Sequence, residues 1–231
     1  MKNQILLIMD RSLVTTEDGS HTVYLPELDE HYHSTHGAVN ESKHVFIKAG
    51  LEYLRLCEPT ILEVGFGTGL NALLTLQNSI TKKQKIRYVA LEPYPLEADI
   101  FKHLNFDDSA EIAAPDNYLQ KMHEAQWNFP VFITDNFVLH KLKLTLQETS
   151  FMEEAFDVIY FDAFAPAKQP EVWSAENFEK CFQALKPGGV LTTYSSQGQV
   201  RRNMQEAGFK TEKIPGPKGK REMLRAIKET S

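Results

Sequence analysis

Beyond residue 59, apolar runs of strand length alternate with stretches of helical periodicity. Residues 61–65 form a nearly continuous apolar run that ends in a glycine turn, and a helical pattern follows over about 70–79. Residues 86–91, 137–146 and 155–162 read as further strands. Ser174 suits the N-cap of a helix running through Leu185, which Lys186-Pro187-Gly188-Gly189 should stop. A strand over 190–194 and a helix over 199–207 come next, the helix closing at Gly208. Residues 210–214 and 222–227 flank Pro215-Gly216-Pro217 and are expected to pair as an antiparallel hairpin. Alternation of this kind predicts an α/β fold: a Rossmann-like, mainly parallel seven-stranded sheet with helices on both faces. Ligands of such sheets bind at the carboxyl ends of the strands.

The residues ahead of this pattern look different. Two arms rich in β-formers, 12–16 and 20–25, flank Asp18-Gly19 and predict a small β-hairpin. A polar and aromatic stretch, residues 29–37, holds His31, Tyr32, His33 and His36. A helical pattern over 38–56 follows, with Val45, Phe46, Ala49 and Leu51 apolar. Residues 1–56 are therefore expected to form an N-terminal hairpin-and-helix extension packed on a core domain of 57–231.

Composition narrows the class. The 231 residues are 42% hydrophobic, enough for one α/β domain with a sizeable core. Cys57 and Cys181 lie far apart without metal-ligand spacing and are expected to be reduced core thiols. The histidines between 31 and 36 lack regular ligand spacing, so no metal is expected. The apolar run 5–9 is too short for a leader or a membrane span, which predicts a soluble, cytoplasmic protein. A net charge of −6 excludes an indiscriminate nucleic-acid binder. The tail is the exception, since nine Lys and Arg side chains between residues 201 and 231 face only four Glu. A solvated charged tail would give the same count.

The chemistry begins at Glu63-Val64-Gly65-Phe66-Gly67-Thr68-Gly69. A dinucleotide fingerprint, G-x-G-x-x-G, would need its third glycine at position 70, which is Leu. The spacing G-x-G-x-G behind an acidic residue instead suits S-adenosylmethionine, which has no pyrophosphate to seat. Glu92 closes the next strand, where a carboxylate can accept both hydroxyl protons of a ribose. Glu148, after the 137–146 run, is the candidate for the adenine end. These features specify the Rossmann-like class I methyltransferase variant of the fold. The strand 155–162 ends in Asp162-Ala163-Phe164-Ala165-Pro166-Ala167-Lys168. Asp162 can hydrogen-bond an acceptor amine, orient its lone pair and take its proton. Phe164 and Pro166 can wall the acceptor.

Four segments resemble the MnmC family, meaning the methyltransferase half of bacterial bifunctional tRNA 5-methylaminomethyl-2-thiouridine biosynthesis enzymes and its stand-alone relatives. They are Tyr32-His33-Ser34 with Glu41-Ser42 and Val45-Phe46; residues 63–71; Asp162 to Lys168 with Pro170 and Trp173; and Val200-Arg201-Arg202 with residues 205–209 and Lys220-Arg221-Glu222-Met223-Leu224. The resemblance implies methylation of a 5-aminomethyl group on a tRNA wobble uridine, usually 2-thiolated. It implies that Tyr32 and Glu41 lie over the cofactor, that Thr68 and Asn71 belong with the glycine loop, and that Lys168 belongs with Asp162 at the reaction centre. It further implies that Arg201, Arg202, Lys220 and Arg221 meet tRNA phosphates. The flavin-dependent oxidase half of the bifunctional enzymes is not found before Ser231, so the amine is expected from a separate oxidase or another upstream wobble-modification enzyme. Glu148 stands where the family carries Asp. The residues themselves leave two other readings open: a methyltransferase for a small-molecule or protein amine, and a non-catalytic module that binds cofactor or RNA.

Overall fold

The computed structural model describes residues 11–106 and 117–230. The apolar run 5–9 lies outside them. Strands β1 (Ser12–Thr15), β2 (His21–Leu25) and β3 (Glu30–His31) form a small antiparallel sheet, with the Asp18-Gly19 turn where the sequence predicts it. Asp18 holds that turn, accepting hydrogen bonds from the Thr16 hydroxyl (2.7 Å) and the Ser20 amide (3.1 Å).

The predicted 38–56 helix is three pieces: α1 (Ala38–Ser42), a π-helical segment (Lys43–Leu51) and α2 (Glu52–Leu54). Six of the nine π-helical residues are buried, among them the consecutive Val45, Phe46 and Ile47. A 3.6-residue turn would aim one of those three outward; the wider winding keeps all of them on the core. Gly50 makes this approach possible, because a Cβ there would sit 3.2 Å from Tyr160 and from Thr192. Arg55, left-handed at φ 53°, ends the run.

The main sheet comprises β4 (Thr60–Val64), β5 (Ile86–Leu91), β6 (Pro130–Thr134), β7 (Phe137–Leu142), β8 (Phe156–Phe161), β9 (Leu185–Thr193), β10 (Lys210–Pro215) and β11 (Glu222–Ile227). Their spatial order is β10-β11-β9-β8-β4-β5-β7-β6. The five central strands are parallel, and antiparallel pairs close both edges. Eight strands stand where seven are predicted. The additional one, β6, is an edge strand folded back on β7 through Asp135-Asn136. Its Pro130 is tolerated because an edge strand leaves one row of amides unpaired.

Successive residues along β8 separate the two faces of the core. Val158 and Tyr160 pack with the π-helix and α3 (Leu70–Lys82); Ile159 and Phe161 pack with α6 (Ala175–Ala184) and α7 (Gly198–Glu206). Two short helices, α4 (Ala98–Phe101) and α5 (Tyr118–Glu124), complete the α3 side. Ser174 caps α6 as predicted, accepting from the Asn177 amide.

Two strand boundaries lie several residues from the sequence reading. Strand β7 stops at Leu142 rather than 146, where Thr145 and Glu148 hydrogen-bond each other into a turn. Strand β9 starts at Leu185, taking in the Lys-Pro-Gly-Gly stretch expected to lie outside it. Between the pairs Phe156–Leu185 and Val158–Val190 the register slips, so those residues form a bulge. Gly188 at φ 79° and Gly189, whose Cβ would lie 2.8 Å from the Asp157 carbonyl, let the chain turn there without leaving the ladder. Finally, Cys181 is a core thiol, pushed up to about 12 by desolvation, whereas Cys57 is exposed rather than buried as expected. No helix among the described residues is long and apolar enough to cross a membrane.

Candidate active site

After β4 the chain runs outward through β5 and β7, then returns to β8 on the other side of β4. The carboxyl ends of β4 and β8 thus form a topological switch point, the usual ligand crevice of an open α/β sheet. A cavity of about 1000 Å³ lies there.

The glycine loop follows β4. Gly65 (φ 96°) packs so closely against the β8 turn that a Cβ would sit 2.6 Å from the Asp162 carbonyl oxygen. At Gly67 a Cβ would meet the Tyr32 ring at 2.8 Å, so Tyr32 covers the loop. Gly69, left-handed at φ 76°, starts α3. Glu92 organises the loop from below: its carboxylate accepts the amides of Gly67 and Tyr94, each at 2.9 Å. Desolvation raises the Glu92 pKa, while those two N–H donors pull it back. One lone pair on each oxygen remains for a ligand, which fits a ribose diol.

Two histidines hold the loop at Thr68. His123 Nε2 donates to the Thr68 carbonyl at 2.9 Å, and His33 Nε2 lies 2.6 Å from the Thr68 hydroxyl. Desolvation lowers both to about 4, so both rings are neutral at physiological pH. His31 packs on Tyr24, and His36 pairs with Glu17 at 2.8 Å. Among the described residues, no group of three or more His, Cys, Asp or Glu is arranged to hold a metal. Nothing in the sequence pattern marks His123, which reaches Thr68 across 55 positions.

Behind His123 lies Lys141, fully buried. Its ammonium donates to the His123 carbonyl at 2.7 Å and sits 4.3 Å above the Trp127 ring. Desolvation lowers it from 10.5 to about 8. A lysine depressed in this way weakens the fold below pH 8, and the penalty lifts as pH rises from 8 towards 10.5. Lys141→Met should therefore fare better relative to the native chain at pH 7 than at pH 10, by about 2–3 kcal/mol. Denaturant melts at the two pH values measure this; a pH-independent difference would rule it out.

At the carboxyl end of β8, the Asn71 side chain donates to Glu63 Oε1 (2.9 Å) and to Asp162 Oδ2 (2.7 Å). One amide thus bridges two carboxylates. Desolvation lifts Glu63 well above the ordinary carboxylate range and pushes Asp162 up to about 7. Three successive carbonyls fix the loop after Asp162: Tyr194 Oη donates to Ala163 (2.8 Å), Trp173 Nε1 to Phe164 (2.8 Å) and the Lys168 amide to Ala165 (2.7 Å). Phe164 faces the cavity and meets Tyr32 edge-on, with centroids 5.0 Å apart.

Of the residues singled out in the sequence, Tyr32, Glu41, Thr68, Asn71, Glu148 and Lys168 also line the cavity. Glu63 lies behind the wall, fully buried. Glu148 is exposed, and its carboxylate accepts the Thr145 amide (2.9 Å) and hydroxyl (2.8 Å), which lower its pKa. Pro166 does not reach the wall. The four tail cations separate. Arg201 and Arg202 ride on α7, bonded to Thr211 and Gln199, and Arg221 is exposed in the β10–β11 loop. Lys220 turns into the cavity, where it pairs with Glu41. Much of the remaining tail charge is ion-paired, including Lys210 with Glu229, Lys213 with Glu222 and Arg225 with Glu212.

Comparison with known proteins agrees with this geometry. A family described as S-adenosyl-L-methionine-dependent methyltransferase matches residues 116–229. The tRNA 5-methylaminomethyl-2-thiouridine biosynthesis bifunctional protein MnmC of Pseudomonas fluorescens is 32% identical over 211 residues, 85% of this chain. The chain spans about a third of that relative's length (32%). In fold, the chain is similar to MNMC2 from Aquifex aeolicus, with a TM-score of 0.75 and 22% identity over 96% of this chain and 71% of that one. It also resembles spermidine synthase from Thermotoga maritima, with a TM-score of 0.57 and 10% identity over 95% and 68% of the two chains. With its glycine loop, the carboxylates around it and these likenesses, the chain belongs to the S-adenosyl-L-methionine-dependent methyltransferases.

Proposed function

We propose that this chain methylates the 5-aminomethyl group of a uridine, 2-thiolated or not, at the wobble position of tRNA. The observation that carries the proposal is Asp162: a desolvated carboxylate, oriented by Asn71, on the cavity side of the switch point and beside Phe164. The Pseudomonas relative's description, tRNA 5-methylaminomethyl-2-thiouridine biosynthesis, supports an aminomethyl acceptor. Methyl transfer to such an amine needs a neutral nitrogen lone pair in line with the methyl carbon. Asp162 accepts hydrogen bonds from the amine and takes up its proton, and a base with a pKa near 7 suits that task at neutral pH.

S-adenosyl-L-methionine supplies the electrophilic methyl group. The residues proposed to hold it are Gly65, Gly67, Thr68 and Gly69 at the amino-acid end, with Glu63 and Asn71 behind them. Glu92 takes the ribose, Tyr32 covers the loop, and Glu148 stands at the adenine end. Phe164 offers its ring to the acceptor base, with Lys168 on the same loop; Arg201, Arg202 and Arg221 are left to meet phosphates. An enzyme acting on tRNA would work in the cytoplasm, and the aminomethyl group it methylates is made by an upstream wobble-modification step.

Incubating the chain with tRNA that lacks the terminal methyl, then digesting and weighing the nucleosides, tests the proposal. The wobble nucleoside should gain the mass of one methyl. Transfer that persists after complete ribonuclease treatment would assign the activity to another amine instead.

A further inference from the structure

Lys220 and Glu41 are 179 positions apart, yet the Lys220 ammonium donates to Glu41 Oε1 at 2.6 Å. Glu41 Oε2 accepts the Ser34 amide at 3.0 Å, and only 10% of the Glu41 side chain is exposed. The same ammonium lies 4.2 Å from the Tyr194 ring centroid, and Tyr194 Oη in turn holds the Ala163 carbonyl next to Asp162. One ion pair thus ties together the segment around Ser34, helix α1, the β10–β11 loop and, through Tyr194, the turn that carries Asp162. Close packing supports this: a Cβ at Gly219 would lie 2.7 Å from the His36 ring. A second pair, Lys218–Glu17 at 2.9 Å, joins the β10–β11 loop to the β1–β2 turn.

We propose that Glu41 and Lys220 are a positioning pair for Asp162, which bolts the N-terminal segment to the β10–β11 loop beside the acceptor side of the cavity and balances the charge around the Asp162 carboxylate. The inference rests on the reading of Asp162 as the group that receives the amine proton, and it goes beyond that reading in assigning the pair its part. It also removes Lys220 from the phosphate-contacting set.

Among the described residues, the titratable groups around Asp162 are Glu63 across Asn71, Tyr88 on β5, Tyr194 on β9's exit, Glu41 on α1 and Lys220 on the β10–β11 loop. The Glu41 anion opposes ionisation of Asp162 and the Lys220 cation favours it. Removing one partner alone should therefore move Asp162 in a direction set by the charge that is left.

The test is titration of the Asp162 carboxyl carbon by NMR in protein free of donor and acceptor, which is independent of the substrate. Glu41→Gln should lower its midpoint and Lys220→Met should raise it. The double variant carries no unpaired buried charge and guards against a single variant that fails to fold. It should titrate close to the native value, while turnover drops roughly tenfold or more because the turn has lost its bolt. Lys220→Arg should recover most of the turnover. Midpoints that stay put in both single variants, or move the same way, would overturn the pair's role. Failure of tRNA methylation alone would leave the titration result standing.

Discussion

Asp162→Asn is expected to reduce methyl transfer roughly a hundred- to ten-thousand-fold while leaving donor affinity intact. The amide keeps the shape of the side chain and an oxygen that can still accept the 2.7 Å hydrogen bond from Asn71, so the loop should hold. It cannot take up the amine's proton. In the native chain the active form of Asp162 is the carboxylate, so activity should rise as pH increases through about 7. The stability effect has the opposite sign. A carboxyl whose folded pKa lies near 7, above its ordinary 3.8, binds its proton more tightly in the folded state; the stability this brings is lost as pH rises through 7. Asp162→Asn should therefore melt higher than the native chain at pH 8 and show a smaller advantage at pH 5. An inactive variant whose stability advantage over the native chain grows with pH is the signature of a functional group held at a cost to the fold. Turnover close to native would remove Asp162 from the chemistry.

Gly65→Ala should have the second large effect. At φ 96° an alanine is strained by about 1–3 kcal/mol, and its Cβ would lie 2.6 Å from one Asp162 backbone atom and 3.1 Å from another. Backbone cannot swing aside as a side chain can, so β4's exit and β8's exit must separate. That moves the donor loop and Asp162 apart together, and a shift of about 1 Å at a reacting centre can cost on the order of a hundredfold in rate. Gly67→Ala provides the contrast. Its φ of 49° is one that other residues can adopt, and the contact at 2.8 Å is with the Tyr32 ring. Calorimetry with the demethylated donor and initial rates should rank the two, Gly65→Ala being the worse in both. The reverse order would mean that the loop does not lean on the Asp162 turn.

The sequence exposes whatever is local. The glycine spacing of 65, 67 and 69, the acid at 92 closing a strand and the Asp-Ala-Phe turn at 162 are each set within a few residues; the structure brings Gly65, Gly67, Glu92 and Asp162 to one cavity, while Gly69 starts α3. The C-terminal hairpin and the Ser174 cap were legible for the same reason. What escaped depends on contacts between distant parts of the chain. Lys220 looks like one more cation in a basic tail, and only the folded β10–β11 loop shows it turned towards Glu41. His123 and Lys141 carry no motif, and they matter because α5 and β7 meet beneath the glycine loop. The π-helical winding of Lys43–Leu51 answers the packing of Gly50 against β8 and β9, which helical periodicity alone does not encode.

Every role assigned to the glycine loop, Glu92 and Asp162 requires the crevice between β4 and β8 to hold a sulfonium nucleoside. Isothermal titration of the native chain with S-adenosyl-L-methionine, and with its demethylated product, measures that directly. Saturable heat at one equivalent for both ligands is the expected result. Folded protein that gives no heat with either would contradict the assignment of the glycine loop and Glu92, and with it everything built on Asp162.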